Sequence, residues 1–384
     1  MMPARPILAV APESRIPLFD LQRQRARLER EIRRRMDAVL AHGQFILGPE
    51  VDELERQLAA YAGVGHAIAV SSGRDALMIA LMAMGVKSGD AVFVPAFTFA
   101  ATAGAVVAVG AEPVFVDVDH RTFNMDPADL ERAVAETLAA GRAHPRVVMP
   151  VDLYGLPADY AAIAKVATRH KLDVLADAAQ SFGGSVGNRR VGGLAPISAT
   201  SFYPTKPLGC YGDGGAILAE DKSFADHVRM IRSHGRAGTG DEAVVLGLTG
   251  RLDTLQAAIL LAKLDVFAEE LDRRRSIAER YDAALGDTVA VPVIPEGYRS
   301  AFALYTIRVE NRDVVRARLE AKGIGTGLFY RLALHQHPAF KGFDGRALPV
   351  SERMAREVLS LPIHADLTDA EVDRVIAAVL LAVR

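Results

Sequence analysis

Val174-Leu175-Ala176-Asp177-Ala178-Ala179-Gln180 is an apolar run that ends on a carboxylate, a pattern typical of a buried strand whose last residue faces a ligand. Helical patterns such as Asp75–Met84 and Tyr160–His170 separate it from earlier apolar runs. Those runs are Ala67–Val70, Ala91–Val94, Pro113–Val116 and Val147–Val151. Strands that alternate with helices predict βαβ units and a mostly parallel sheet. Ligands bind beyond the carboxyl ends of such strands, so we expect Asp177 at a site.

The amino-terminal region predicts a long helix over Leu21–Ala41. Leu28, Ile32, Met36 and Leu40 are spaced by four and form its apolar face. Arginines crowd its other side, but glutamates stand among them and the chain has a formal net charge of −2. Nucleic-acid binding requires a clustered excess of positive charge, so these arginines are interpreted as a solvated or subunit-facing surface.

The remainder of the chain predicts a second, smaller domain. Leu252–Glu279 has a continuous helical pattern that would link the two domains, and a chain of 384 residues is long enough for both. The elements expected beyond it are a strand at Ala303–Val309 and helices at Arg312–Lys322 and Asp366–Val383. The expected boundaries are residues 1–15 for a leader, 16–265 for a cofactor-binding large domain with a helical arm, and 266–384 for a small carboxy-terminal domain.

Composition excludes several classes of protein. The single cysteine, Cys210, excludes a disulfide framework and a Cys-ligated cluster within one chain, and it fits a reducing cytoplasm. No stretch approaches the roughly 20 apolar residues of a membrane span. The chain lacks a Gly-x-Gly-x-x-Gly fingerprint and a Walker lysine motif, which argues against nicotinamide and P-loop sites. Its histidines have no carboxylate or thiol partners at metal-binding spacing, so no metal is expected.

Two further segments and Asp177 suit a cofactor that carries phosphate. Val70-Ser71-Ser72-Gly73-Arg74-Asp75 passes from a strand to a helix, where backbone N–H groups bind anions. The loop Thr200–Gly209 surrounds Lys206 with aromatics and prolines, which would lower its pKa and make it a nucleophile. A buried Asp177 needs a cationic partner, such as a protonated pyridine nitrogen. Taken singly, a plain turn, a surface lysine and a helix-capping aspartate explain these segments equally well or better.

Six motifs occur together along the chain. They are Gly43-Gln44-Phe45-Ile46-Leu47-Gly48-Pro49-Glu50, Pro95-Ala96-Phe97-Thr98-Phe99, Glu112-Pro113-Val114-Phe115-Val116-Asp117, Asp177-Ala178-Ala179-Gln180-Ser181, Ser201-Phe202-Tyr203-Pro204-Thr205-Lys206 and Gly212-Asp213-Gly214-Gly215. In this combination the chain, from Ile16 onward, resembles the DegT/DnrJ/EryC1/StrS sugar aminotransferases. The resemblance implies the α/β fold of fold-type I pyridoxal-phosphate enzymes, with a mostly parallel seven-stranded sheet flanked by helices and a smaller carboxy-terminal α+β domain.

The resemblance also implies pyridoxal 5′-phosphate as the cofactor and a role for each matching residue. Lys206 would form the Schiff base and move the proton, and Asp177 would pair with the pyridinium nitrogen. Gln180 would lie near the phenolic oxygen, and Phe97 would stack on the cofactor ring. The residues expected to hold the phosphate are Gly73, the backbone of Arg74, and Ser201.

The chain departs from the family pattern at several of these positions. Arg74 stands where a threonine is common and offers a guanidinium suited to phosphate. Thr249 stands where an asparagine commonly contacts the neighbouring subunit's phosphate. The usual His-Tyr-Pro beside the substrate reads Phe329-Tyr330-Arg331 here. With Arg251, which could pair with a uronate carboxylate, these three complete the expected substrate-binding set.

The activity implied by the resemblance is transamination from L-glutamate to a nucleotide-linked keto sugar, in a homodimer with shared active sites. Ser201–Gly215 and Gly250–Leu260 are most similar to the enzymes that aminate UDP-2-acetamido-3-keto-glucuronate at carbon 3. Such an enzyme serves surface polysaccharide biosynthesis, for lipopolysaccharide or O-antigen. A 4-keto-6-deoxy sugar carried by dTDP, GDP or UDP is the rival acceptor.

Two alternatives belong to other functional classes. A non-catalytic sensor that binds pyridoxal phosphate has no need for Lys206, Asp177 and Gln180 together, and all three are present. A sugar dehydratase of the same family typically has histidine in place of the lysine, or needs an iron–sulfur cluster. Lys206 and the single Cys210 argue against both kinds of dehydratase.

Overall fold

A computed structural model of the chain describes residues 15–238, 240–343 and 345–384, so the expected leader lies almost wholly outside the described residues. The helices are α1 (Leu21–His42), α2 (Pro49–Ala62), α3 (Gly73–Ala83), α4 (Ala100–Ala108), α5 (Pro127–Ala140), α6 (Tyr160–His170), α7 (Lys222–Arg232), α8 (Thr254–Leu264), α9 (Phe267–Leu285), α10 (Arg312–Ala321), α11 (Pro349–Glu357) and α12 (Asp369–Ala382). The strands are β1 (His66–Val70), β2 (Asp90–Pro95), β3 (Glu112–Val116), β4 (His144–Val148), β5 (Asp173–Asp177), β6 (Ser185–Val186), β7 (Arg189–Arg190), β8 (Ile197–Ser201), β9 (Gly215–Ala219), β10 (Tyr298–Arg299), β11 (Tyr305–Arg308) and β12 (Val358–Leu361).

A seven-stranded sheet in the order β1-β9-β8-β5-β4-β2-β3 forms the centre of the molecule. Its pairings are parallel except those of β9, which runs antiparallel to both β1 and β8. No helix lies between β8 and β9, and a connection without a crossover returns the chain in the opposite direction. The predicted mostly parallel seven-stranded sheet is confirmed.

The sheet is buried on both faces because alternate residues of its strands enter different cores. Val92 and Val94 of β2 join a core with residues of α3 and α4, whereas Ala91 and Phe93 join a core with residues of α5 and α6. Side chains of a strand point alternately to its two faces, so a strand covered by helices on both sides must be apolar throughout. This is why the short apolar runs of the sequence mark the strands.

The structure differs from the prediction in one helix and two strands. The continuous helix expected over Leu252–Glu279 is two helices, α8 and α9, which break at Asp265 and Val266. The break lets α8 pack on α1 and α2 while α9 packs on α12, an arrangement that one straight helix could not make. Strand β4 ends at Val148 rather than Val151, and β8 was not predicted because Ser198 and Thr200 interrupt its apolar pattern.

The apolar face of α1 also differs from the prediction at its end. Leu28 and Ile32 are buried against α8, but Leu40 is 59% exposed and Val39 is buried in its place. A spacing of four residues advances 400° around a helix of 3.6 residues per turn, so the face drifts with each step. After three steps the residue facing the core is the one before Leu40.

The carboxy-terminal region forms its own core around the antiparallel pair β11 and β12. Helices α9, α10 and α12 supply half of its buried apolar residues, among them Ile277, Leu319 and Val375. Ile16 also joins this core, so the chain's first described segment returns to its last. The domain boundary expected at residue 265 stays a prediction.

Among the described helices, none has both the length and the apolar character needed to cross a membrane.

Candidate active site

A cavity of about 430 Å³ opens where the strands β1, β5 and β8 end. Val70 and Ser201 both pair with Gly215 of β9, which places the ends of β1 and β8 side by side. Asp177, the last residue of β5, pairs with Ala199 of β8 and so lies at the same edge. The site is therefore at the carboxyl edge of the sheet, as predicted for this class of fold.

Asp177 lies at the bottom of this cavity and is only 5% exposed. Its Oδ2 accepts a hydrogen bond from Thr102 Oγ1 at 2.8 Å, and its Oδ1 accepts one from the Ala179 N–H at 3.2 Å. Burial raises the pKa of Asp177, whereas these hydrogen bonds and the charge of Lys206 oppose the rise. A carboxylate held in this way is suited to stabilise a cation inside the cavity.

Lys206 lies in the same cavity, on the loop between β8 and β9. That loop is closed on itself, because the Lys206 N–H donates to Tyr203 O and the Cys210 N–H donates to Phe202 O, both at 2.8 Å. Burial lowers the pKa of Lys206 to about 8, and the charge of Asp177 opposes this shift. Within the part of the chain that the structure describes, its ammonium has no hydrogen-bond partner. An amine that is unbound and easily deprotonated is ready to attack a carbonyl.

The start of α3 and the end of β8 form a cradle for an anion. A Cβ atom on Gly73 would lie 2.5 Å from Ser201 Cβ, so only glycine allows these two elements to approach so closely. Ser72 caps α3 by accepting a hydrogen bond from the Asp75 N–H at 3.0 Å. Arg74 is exposed beside the cavity, with its guanidinium 3.4 Å from Gly104 O. The N–H groups of a helix start, a serine and an arginine together suit a phosphate.

Phe97, the residue predicted to stack on the cofactor ring, does not line the cavity, whereas Phe99 of the same motif does. Phe97 is fully buried and packs on Phe123 and Tyr330, at centroid distances of 6.5 and 6.3 Å. Phe99, at the N-cap of α4, lines the cavity and is 57% exposed. The motif contains both rings two residues apart, and the turn into α4 decides which one reaches the cavity. Phe97 is therefore a core residue, and Phe99 is the phenylalanine of this motif that reaches the cavity.

Gln180 connects the cofactor region to the expected substrate segment. Its Oε1 accepts a hydrogen bond from the Tyr154 N–H at 2.8 Å, and its Nε2 donates to the Tyr330 hydroxyl at 3.2 Å. The Tyr154 hydroxyl donates to Phe329 O, so Tyr154 also holds the backbone immediately before Tyr330. Burial raises the pKa of Tyr330, which keeps its phenol protonated.

Of the four residues expected to bind substrate, the structure brings Phe329 and Tyr330 into the cavity. Arg331 lies outside it, in an adjoining surface cleft of about 700 Å³ that also contains Arg312 and Arg316. Arg251 forms a backbone bridge with Val70 and does not line the cavity. Thr249 is exposed, and its hydroxyl lies 3.3 Å from His234 Nε2. A single chain therefore does not bring Thr249 and Arg251 to the site that it forms itself.

Sequence reasoning missed Thr102, the residue that holds Asp177. Thr102 is 1% exposed and follows the Pro95–Phe99 motif by one turn of α4. Thr98 Oγ1 lies 3.5 Å from Thr102 Oγ1, so the two threonines line the same wall. Thr98 lies just before the N-cap of α4 and Thr102 in its first turn, so the available signal was a pair of threonines flanking a predicted helix start.

Comparison with known families and proteins bears on this arrangement. Residues 26–380 match the DegT/DnrJ/EryC1/StrS aminotransferase family. A relative from Pseudomonas aeruginosa, UDP-2-acetamido-2-deoxy-3-oxo-D-glucuronate aminotransferase, is 43% identical over 364 residues, which cover 94% of this chain and 99% of that protein.

Two solved structures are similar to the whole fold. A DegT/DnrJ/EryC1/StrS aminotransferase from Brucella abortus has a TM-score of 0.94 and 47% identity, with 96% of this chain and 99% of the other covered. NtdA from Bacillus subtilis, solved with the bound cofactor PMP, has a TM-score of 0.88 and 30% identity, with 96% and 85% covered. These similarities extend over both the central sheet and the carboxy-terminal region.

Proposed function

Since the chain belongs to the DegT/DnrJ/EryC1/StrS aminotransferase family, whose cofactor is pyridoxal phosphate, we propose that it transfers an amino group from L-glutamate to UDP-2-acetamido-3-keto-glucuronate. The family agrees with the aminotransferase activity and the cofactor predicted from the sequence. It favours neither the sensor nor the dehydratase alternative.

The observation that carries the proposal is the placement of Lys206 and Asp177 in one cavity. The cavity offers an unbound amine of lowered pKa, a buried carboxylate, and the anion cradle at Gly73 and Ser201. These three features match the aldehyde, the ring nitrogen and the phosphate of pyridoxal phosphate. Phe99 supplies an aromatic side chain for the ring face. The residues present therefore fit the cofactor.

Each of these residues has a definite task in the proposed reaction. Pyridoxal phosphate, when bound, supplies an electron sink for the bond that breaks at the amino-bearing carbon. Asp177 would keep a proton on the ring nitrogen, because a buried carboxylate favours a cation beside it. Lys206 would hold the cofactor through its amine; as the free amine it would accept the proton from the amino-bearing carbon of the donor and later deliver a proton to the acceptor carbon that receives the amino group. Gln180 and Tyr330 orient the bound groups through their hydrogen bond.

The choice of acceptor is supported by the Pseudomonas aeruginosa relative and by the charges near the cavity. That relative is named for a 3-oxo-glucuronate linked to UDP. An acceptor of this kind carries a carboxylate and a diphosphate. Arg331 in the adjoining cleft and, in a dimer, Arg251 are the cations that we propose to pair with them. A 4-keto-6-deoxy sugar lacks the carboxylate, so only its diphosphate would pair with an arginine. Amination of the uronate would serve lipopolysaccharide or O-antigen synthesis.

Exposed apolar side chains support a homodimer with shared active sites. Val244 and Leu246 are 57% and 89% exposed on the segment before Arg251. Ile46, 47% exposed, lies beside Asp253 through a backbone bridge. Apolar side chains grouped in this way are typical of a subunit interface. In such a dimer this segment, with Thr249, would reach the partner's site. We further propose a cytoplasmic enzyme with the domain boundary at residue 265.

The proposal is tested in two half-reactions. L-glutamate added to the cofactor-loaded protein should remove the long-wavelength absorbance of the lysine-bound cofactor and release 2-oxoglutarate. The aminated protein is then given UDP-2-acetamido-3-keto-glucuronate and, separately, dTDP-, GDP- and UDP-linked 4-keto-6-deoxy sugars, with the product mass measured. Turnover of a 4-keto sugar alone would replace the proposed acceptor, and no response to glutamate would overturn the proposed donor.

A further inference from the structure

The molecule contains a second buried lysine near the site, Lys263 of α8. It is only 2% exposed, and its Nζ donates a hydrogen bond to Gly209 O at 2.6 Å. The same Nζ lies 4.4 Å from the centroid of the Tyr211 ring, within the range of a cation–π contact. Lys263 does not line the cofactor cavity, so the proposed reaction gives it no direct task.

The carbonyl that Lys263 holds belongs to the loop that carries Lys206. This loop turns back so tightly that a Cβ on Gly209 would lie 2.5 Å from Pro204 O. The Tyr211 N–H, just beyond Gly209, donates to Gln256 Oε1 at 2.9 Å. Two hydrogen bonds therefore join the end of the loop to α8, and the one from Lys263 has a charged donor. Its acceptor, Gly209, is three residues from Lys206.

The groups around Lys263 stabilise its charged ammonium form in this buried position. Burial lowers the pKa of Lys263 to about 8, while the charge of Glu270 and the Cys210 thiol oppose the shift. Glu270 itself accepts a hydrogen bond from Gln24 Nε2 at 2.7 Å and forms an ion pair with Arg27. Glu270 is thus held by α1 through contacts with Gln24 and Arg27, and it acts on Lys263 through its negative charge. A charged donor holds a carbonyl more strongly than a neutral one does.

We propose that Lys263 is a positioning residue, which sets the place of the Lys206 amine relative to Asp177 by fixing the Gly209 carbonyl. The inference rests on the proposed function, because it concerns the lysine that moves the proton there. Proton transfer depends steeply on geometry, and a displacement of about 1 Å can cost on the order of a hundredfold in rate. Loss of this hydrogen bond would leave Gly209 O buried without its donor.

Lys263→Met tests the proposal, because methionine keeps the apolar length and removes the donor. In the cofactor-loaded protein, the rate of the glutamate half-reaction at saturation should fall between about tenfold and a hundredfold, with the KM for glutamate within about twofold. The midpoint of the pH titration of the long-wavelength band should also move, because it reports the surroundings of Lys206. This second measurement requires no turnover.

Matched variants make the outcome decisive. Lys222→Met removes a lysine that is 76% exposed and paired with Asp226, and it should change neither measurement. Lys263→Gln keeps an N–H donor of shorter reach, should recover part of the rate, and is the variant to use if Lys263→Met does not fold. A wild-type rate and midpoint with only a lowered melting temperature would overturn the proposal. If the wild-type protein does not react with glutamate, the proposed function fails. The pH titration of the long-wavelength band would still test the role of Lys263.

Discussion

The two sides of the cavity are built in different ways. The cofactor wall (Gly73, Asp177, Ser201 and Lys206) stands on strand ends, a helix start and a closed loop, and Asp177 is held by two hydrogen bonds. The proposed acceptor rim (Phe329 and Tyr330, with Arg331 in the adjoining cleft) comes from an irregular segment, and Arg331 is exposed. Regular elements fix atoms more precisely than surface segments do. We therefore expect the shared chemistry to depend on the cofactor wall and the choice of acceptor to depend on the rim.

This difference predicts that substitutions in the wall strongly slow both half-reactions. Substitutions in the rim should have small effects, and only on the reaction with the sugar acceptor. A change in the wall alters a step that every substrate shares. A change in the rim alters only the binding of the molecule that contacts it. The half-reaction with glutamate and the half-reaction with the sugar separate the two experimentally.

Lys206→Ala should have the largest effect. Loss of a proton-transferring side chain costs about 10²–10⁴ in rate, and the covalent bond to the cofactor is lost in addition. We expect no measurable transamination with any acceptor and no long-wavelength band in the presence of pyridoxal phosphate. Lys222→Met changes an exposed residue at the start of α7, so it is the control and should behave like the wild type. An active Lys206→Ala protein would remove this lysine from the mechanism.

Asp177→Asn should have the second-largest effect. Asparagine keeps the shape and can still accept from Thr102, but it cannot balance a positive ring nitrogen. Loss of one preorganised electrostatic contact costs about 10²–10³ in rate. Both half-reactions should slow to the same degree, as measured by single-turnover absorbance, while the melting temperature stays within a few degrees. An effect confined to the sugar half-reaction would assign Asp177 to the acceptor rim.

The pH dependence of cofactor attachment is the third test of the wall. Burial lowers the pKa of Lys206 to about 8, and only the neutral amine attacks the aldehyde. The rate of covalent attachment to the cofactor-free protein should therefore rise about tenfold per pH unit and level off near pH 8. Because Asp177 favours the charged amine, Asp177→Asn should move the midpoint to lower pH. A midpoint near 10 in the wild type would mean that the amine is solvated.

The sequence predicted the cofactor wall better than the rim for a physical reason. Asp177 and Gly73 follow directly from a strand end and a strand-to-helix turn, which apolar patterns and glycine reveal. The sequence pattern did not reveal β8, whose Ser198 and Thr200 are buried hydroxyls in a strand position. Nor did it reveal the break at Asp265, because the apolar period continues through it.

Side-chain choices within a motif were the least predictable part of the site. Phe97 and Phe99 have the same chemistry, and only the direction in which α4 begins decides between them. Thr102 was missed because its importance depends on Asp177, 75 residues away in the sequence. For Arg331, its position in the adjoining cleft depends on how α10 packs beside it, which no local pattern encodes.

Phe99→Leu and Phe97→Leu form a matched pair across the boundary between cavity and core. Phe99→Leu should raise the Kd for the cofactor by about 2- to 10-fold, since aromatic stacking contributes about 0.5–1.5 kcal/mol, and should leave stability unchanged. Phe97→Leu should lower the free energy of unfolding by about 1–2 kcal/mol and leave the Kd within about twofold. Fluorescence titration with the cofactor and thermal melts distinguish them. The reverse pattern would return the stacking role to Phe97.

Arg331→Gln should have the smallest effect, and only on the sugar. Exposed ion pairs contribute about 0.2–1 kcal/mol, so the KM for the acceptor should rise by less than about fivefold while the glutamate half-reaction is unchanged. Arg318→Gln is the control, because Arg318 lies on α10 but outside the cleft. The increase should shrink at high salt, since screening already weakens an exposed contact. A slower glutamate half-reaction in Arg331→Gln would show that the rim also shapes the shared chemistry and would end the division between the two sides.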